Sequence, residues 1–272
     1  MQTNVSSRTL TLRQSFPRVL PATWLGLAGL LLALNASAVN LQKTATANMS
    51  SSSDWTLSGT GTAPTSTYFG EIGATPSSGN LSGMQLGAAV SLLGLQLDNN
   101  TAGPLTIGTT GGYSLTLAGS GINMSAANNN ATISCSIITS AGQPWSVAPG
   151  ETLTVSGGVT GTYGIGLYGG GTLDFNSSAA VGYTGGTVIT NGTLLLDFTS
   201  MGANNNLVSS SSVLTLAGGT LEVKGNASNA SSQTFASTTF APSSGNVIYV
   251  VNNGTAPTVN LGALTVGAGS MV

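Results

Sequence analysis

Histidine is missing from this chain altogether. With it go the commonest general base, the commonest imidazole metal ligand and every Ser-His or Cys-His nucleophile pair. Charge is nearly as scarce, with five Lys and Arg and seven Asp and Glu in 272 residues, or 4%, against roughly a quarter in an ordinary soluble domain. The lack of His already excludes most familiar enzyme sites. The single cysteine, Cys135, has no partner for an internal disulfide, so the fold must rest on burial and backbone pairing. Long helical patterns are also missing. After residue 38 no window of a dozen residues sustains apolar spacing at three and four without Gly, Asn or Ser breaking it, with Ser82 to Leu97 the one possible exception.

What the chain does have is aliphatic side chains and turns. Leu, Ile, Val and Phe together exceed the fifth of the residues below which a chain stays disordered. The 39 Gly and nine Pro call for dense turns and short strands.

Residues 1–38 read as an address. Arg8, Arg13 and Arg18 precede an apolar run from Val19 to Leu34, and no acid occurs before Asp54. The run ends in Asn35-Ala36-Ser37-Ala38, which puts the small residues Ala36 and Ala38 where a signal peptidase reads, so cleavage is expected after Ala38. A membrane anchor fits less well, because a span needs ~20 apolar residues and this stretch contains Pro21 and Thr23. No membrane span is expected in the mature chain. Its only bases are Lys43 and Lys224, against seven acids, a formal charge of −5. Nothing there could neutralise phosphates or grip an anionic bilayer, which argues against nucleic-acid binding.

Strand-length pieces of period two recur along the mature chain: Leu105-Thr106-Ile107, Ser114 to Leu117, Thr152 to Val155, Val213 to Leu216 and Leu264-Thr265-Val266. Aliphatics face one way and Thr the other. A second set starts from a turn glycine: Gly171-Thr172-Leu173-Asp174-Phe175, Gly192-Thr193-Leu194-Leu195-Leu196 and Gly219-Thr220-Leu221-Glu222-Val223. Thr172 and Thr193 are 21 residues apart, and Thr193 and Thr220 are 27. Self-similarity at that period marks a solenoid, whose turns bury their apolar faces only by stacking. Asn and Gly clusters between the strands suit tight corners, and stacked Asn would be able to ladder from turn to turn. The expected fold is all-β, a right-handed parallel β-helix. A β-sandwich is the competing architecture, with hairpin-joined strands. The expected organisation is a signal peptide at 1–38, a capping region with the first coils at 39–100, and a repeat region at 101–272 that continues further.

The stretch from Gly169-Gly170-Gly171-Thr172-Leu173 through Tyr183-Thr184-Gly185-Gly186-Thr187 to Asn191-Gly192-Thr193-Leu194 resembles the autotransporter-associated β-strand repeat. That family's pattern is a G-x-G-T-L strand, a Y-T-G-G-T turn and strand, and a closing G-T-L strand. Trp145 to Gly157 is similar to the coil that precedes such repeats, and the likeness covers Ile133 to Leu196. The resemblance implies an exported β-helical passenger of a Gram-negative-type bacterium, displayed at the cell surface with the help of outer-membrane export machinery. No translocator barrel follows in this sequence, so a fragment of a longer protein is expected.

Other motifs are weaker. Gly164-Ile165-Gly166-Leu167-Tyr168-Gly169 spells the dinucleotide fingerprint, but a strand start follows where the fingerprint needs a helix N-terminus, so no cofactor is expected. Asp174 and Asp197 both precede or adjoin Phe and lie 23 residues apart, about one coil. Two close carboxylates would suit a retaining glycosidase or a Ca²⁺ site. Aligning the Gly-Thr-Leu pieces sets Asp174 opposite Leu195 instead, and the simpler expectation is a pair of solvated, out-facing acids. Cys135, alternating with Ser between Ile133 and Ile137, reads as a buried small hydrophobe. Trp55, Trp145, Tyr163, Tyr168 and Tyr183 would make a sugar-stacking platform if gathered on one surface, though strand aromatics more often cover turns and core ends. Sequons such as those at Asn176 and Asn253 carry little information in so Asn- and Ser-rich a chain.

The functional expectation is a structural, surface-display or adhesion module without catalytic activity, cofactor or metal, with host or environmental glycans or proteins as partners. The alternative from another class is a secreted β-helix polysaccharide hydrolase or lyase, whose mark is three or more acids or bases grouped on one outer sheet. A secreted glycan-binding protein is the third reading.

Overall fold

Alternation of Leu, Ile and Val with Thr and Ser is carried into the structure as a stack of short parallel strands. The structure is a computed structural model that describes residues 39–43, 49–50, 52, 55–57, 60–61, 64–72, 83–98, 103–178, 182–201 and 205–272. These fall within one unit, Ala38–Val272. The expected signal segment and its cleavage residues, Ala36 and Ala38, lie outside the described residues.

Two long sheets run up the stack, and a third has two strands, Ser232–Thr234 and Thr258–Asn260. The second sheet shows the plan most simply. Its eight strands, Met84–Leu86, Leu105–Thr109, Ala131–Ile133, Thr152–Val155, Thr172–Phe175, Thr193–Asp197, Thr220–Lys224 and Val247–Val251, pair in chain order and all in parallel. The protein is thus a parallel β-helix of about seven turns. The fourteen-stranded first sheet climbs alongside. Within it the strand Ser114–Met124 is long enough to pair with both Ser136–Thr139 and Gln143–Val147 of the next turn. The parallel pairing removes the sandwich alternative. The antiparallel pairs among the described strands are at the N-terminal end, where Trp55–Leu57 pairs with Val39–Lys43 and with Thr60–Gly61.

Register turns the sequence repeats into columns. Thr172 lies opposite Thr193 and Thr193 opposite Thr220, as the Gly-Thr-Leu alignment predicts. Inside, Leu153, Leu173, Leu194 and Leu221 stack on one another, and Val155, Phe175, Leu196 and Val223 form the adjacent column. The first sheet answers with Leu95, Ile122, Trp145, Leu167, Ile189, Leu216 and Phe240. These side chains are buried in one continuous core. Each contributes roughly 1.5–3 kcal/mol of burial, which replaces the missing disulfides.

Corners are where glycine and asparagine are needed. Gly192 turns the chain into Thr193–Asp197 with φ +80°, and a Cβ there would run into the carbonyl of Gly171 one turn back. The expected Asn ladder gives way, at three described corners, to a different link. Asparagines there stitch turns through the backbone: Asn130 Oδ1 accepts from the Thr152 N–H at 2.8 Å, Asn206 Oδ1 from Thr234 at 2.7 Å and Asn246 Oδ1 from Gly218 at 2.9 Å. An acceptor aimed at an adjacent turn satisfies a backbone donor that the corner would otherwise leave orphaned.

The possible helix at Ser82 to Leu97 is not formed. Its described part holds the strands Met84–Leu86 and Val90–Leu97, whose burial alternates at period two around Gly87. The apolar run there is short and glycine-broken, so pairing with neighbouring turns outweighs helix propensity.

Candidate functional site

The second sheet's outer face gathers most of the charge found on the stacked turns. Thr154, Asp174, Leu195, Glu222 and Tyr249 occupy one column through direct register, and Asp197 lies opposite Lys224 in the next column along. Asp174 thus faces Leu195, as the sequence alignment predicts, rather than Asp197. Even so, strands on three successive turns bring three acids and one base into a single neighbourhood.

The expectation of solvated acids at Asp174 and Asp197 is overturned. Asp174 is 9% exposed and Asp197 4%. Asp197 is fully engaged: its Oδ1 accepts from the Thr199 N–H at 2.9 Å, capping the short 3-10 turn Phe198–Ser200, and its Oδ2 takes the Lys224 ammonium at 3.0 Å. That turn is held in place by Asn226, whose amide donates to the Phe198 carbonyl at 3.1 Å. The physical reason for the burial at Asp197 is this loop, which folds back against Thr220–Lys224 instead of leaving the face open.

Asp174 is poorly served by comparison. Its Oδ2 accepts from Thr154 Oγ1 at 3.3 Å, and its Oδ1 is buried with no hydrogen-bond partner. Two residues on, Asn176 Oδ1 is in the same condition. Burial, then the charge on Asp197, pushes the Asp174 carboxyl up to about 6, with Glu222 adding to the rise and Thr154 and Lys224 opposing it. Among the described residues no three His, Cys, Asp or Glu side chains are grouped to hold a metal ion.

The aromatic platform is not formed. Trp145 and Tyr183 are fully buried, packed edge-on against Phe175 from either side at centroid distances of 6.2 and 6.3 Å. Their polar ends are satisfied inside: Trp145 Nε1 donates to Gln143 Oε1 at 2.9 Å, and Tyr183 Oη is 2.7 Å from Thr187 Oγ1. Tyr163 is exposed and Tyr168 half-buried, while the side chain of Trp55 lies outside the described residues. Trp145 and Tyr183 are thus part of the interior itself rather than covers over turns or core ends.

The residues of the resembling segment take structural positions. Gly171, Thr172 and Leu173 enter one strand of the second sheet, and Gly192, Thr193 and Leu194 enter the next. Between them Tyr183 plugs the interior and Thr184 donates its N–H to the Gly161 carbonyl at 3.0 Å. Gly185 passes so close to Tyr163 and Gly164 of the preceding turn that a Cβ would not fit, and the Gly186 carbonyl accepts from the Ile165 N–H at 3.0 Å. Thr187 opens the following strand of the first sheet. The dinucleotide-like glycines flank and interrupt the strand Ile165–Tyr168, which leads through Gly169 and Gly170 into another strand. Cys135 is buried, as expected, and desolvation pushes its thiol up to about 12.

No protein-family model matches the chain, and neither a curated protein nor a solved structure matches it.

Proposed function

We propose that this chain is a β-helical passenger segment, exported and displayed at the cell surface, with a structural or adhesive role rather than a catalytic one. The observation that carries this reading is the outer face of the stacked turns. Thr152, Thr172, Thr193 and Thr220 form a column of partly exposed hydroxyls on four successive turns. From Gly225 to Val272 the chain bears no charge at all. Such a stack offers a repetitive polar surface with few charges, suited to many weak contacts with glycans or proteins and to close packing of neighbouring molecules. The basic-then-apolar N-terminal stretch supports export, and the likeness of Gly169 to Leu194 to the autotransporter-associated repeat supports the passenger role.

Fractionation of producing cells, combined with protease treatment of intact cells and a glycan array, tests this reading. The chain is expected outside the cell, cleaved after Ala38, and accessible to added protease. Retention in the cytoplasm with Met1 intact overturns it.

One observation favours the enzymatic alternative, namely the grouping of Asp174, Asp197 and Glu222 on three adjacent turns of one sheet. Burial of the first two and the ion pair on Asp197 leave little acid free for a glycan. Loss of polysaccharide cleavage in Asp174→Asn would establish that reading over the structural one.

A further inference from the structure

Asp174 and Asn176 leave the same strand end with one buried oxygen each, and both oxygens are acceptors without a donor. A low-dielectric site does not tolerate such a mismatch cheaply. The charged groups around Asp174 do not repair it. Lys224, the cation of the neighbourhood, is committed to Asp197 at 3.0 Å, and Asp197 and Glu222 add negative charge from the two following turns. The preceding turn contributes Thr154, whose hydroxyl reaches the other carboxylate oxygen at 3.3 Å. Neither orphaned atom is open to solvent. The Asp174 carboxylate can be relieved without extra room by taking up its own proton.

We propose that Asp174 is a proton-operated latch: protonation neutralises the buried, under-bonded carboxylate stacked beside Asp197 and Glu222 of the two following turns, and ionisation sets these charges against one another and loosens the stack there. The direction follows from linkage. Burial raises the folded-state value from 3.8 to about 6, so the folded chain holds this proton where the unfolded chain has lost it. The stabilisation is fully present below the unfolded value and is lost as pH rises through about 6. An acid with a salt-bridged, depressed value behaves the opposite way. The stacked turns are therefore held together more strongly in acidic surroundings.

Equilibrium urea unfolding of the full chain near pH 5 and near pH 7.5 tests the latch, with Asp174→Asn as the variant. The folding constant of the unmodified protein is expected to be about tenfold larger near pH 5, the factor that linkage gives for this displacement. In Asp174→Asn, which carries a permanent amide donor, this tenfold component is expected to disappear. No rise in the unmodified protein, or an undiminished rise in Asp174→Asn, overturns the proposal. So does CaCl2 reproducing the acid stabilisation near pH 7.5 in the unmodified protein alone, because the orphaned oxygens would then hold a cation. Infrared titration of the unmodified chain keeps the test open if Asp174→Asn fails to fold. One carboxyl is expected to remain protonated near pH 5, and complete ionisation of the acids at that pH contradicts the latch.

Discussion

Lys224 lies directly across the parallel ladder from Asp197, and its ammonium sits 3.0 Å from Asp197 Oδ2 on the outer face of the second sheet. The pair is asymmetric, with a side chain 34% exposed on the lysine and 6% on the aspartate. Removing the lysine therefore strands a buried carboxylate, whereas removing the aspartate leaves a cation that can reach water. Lys224→Met is expected to destabilise the protein by roughly 1–3 kcal/mol, measured by urea unfolding near pH 7.5. Asp197→Asn keeps an acceptor for the Thr199 N–H and should cost less. A larger loss in Asp197→Asn than in Lys224→Met would contradict this asymmetry.

Gly121 is held at φ +62°, and a Cβ there would collide with the Pro144 carbonyl on the adjacent turn. Gly112 has a similar φ of +70° but open space around its would-be Cβ. Gly112→Ala should carry only the left-handed backbone penalty of roughly 1–2 kcal/mol. Gly121→Ala adds a clash with backbone that cannot swing aside, and its thermal midpoint is expected to fall clearly further. Equal midpoints would mean that the turns are not packed as closely as described.

Trp145 enters from the first sheet, Phe175 from the second and Tyr183 from the corner between turns, and the three meet in the interior. Trp145→Ala should cost roughly 3–5 kcal/mol through the cavity it leaves. Tyr183→Phe keeps the ring but breaks the hydroxyl chain that runs through Thr187 and Ser212 to the Gly185 carbonyl. A loss of about 1 kcal/mol is expected there, read by thermal unfolding.

Cys135 should be inert in the folded protein. Its thiol is buried and pushed up to about 12, so almost no thiolate exists at about pH 8. A thiol-specific disulfide reagent is expected to react only as fast as the protein unfolds, and immediately in urea. Rapid labelling under native conditions would place Cys135 on the surface.

Much of this architecture was legible because one side-chain type marks one place in each turn. Thr172, Thr193 and Thr220 follow a corner glycine and precede an in-facing Leu, so aligning them already yields the observed register and sets Asp174 opposite Leu195. The burial of Cys135 followed from alternation alone. The environment of Asp197 was not legible, because it depends on a loop that folds back over the sheet and on Asn226, 28 residues after Phe198, which holds that loop. The grouping of Asp174, Asp197 and Glu222 was hidden for a related reason. Asp174 and Glu222 share one place in their strands but lie two turns apart with Leu195 between, and Asp197 sits two residues further along its own strand, so the three become neighbours only through stacking. The Trp145, Phe175 and Tyr183 cluster escaped notice because its members come from different sheets and corners, and no local pattern links them.

The stacked turns themselves are tested most directly by pulsed electron spin resonance. Thr106, Thr132, Thr154, Asp174, Leu195, Glu222 and Tyr249 form one out-facing column, one residue per turn. Spin labels are placed at Tyr249 and, in separate variants, at Thr154, Thr132 and Thr106, four, five and six turns away. The mean distance should lengthen by a constant ~4.8 Å with each turn, from roughly 19 to 29 Å. Distances that fail to grow in equal steps, or that shorten from one pair to the next, would contradict the solenoid.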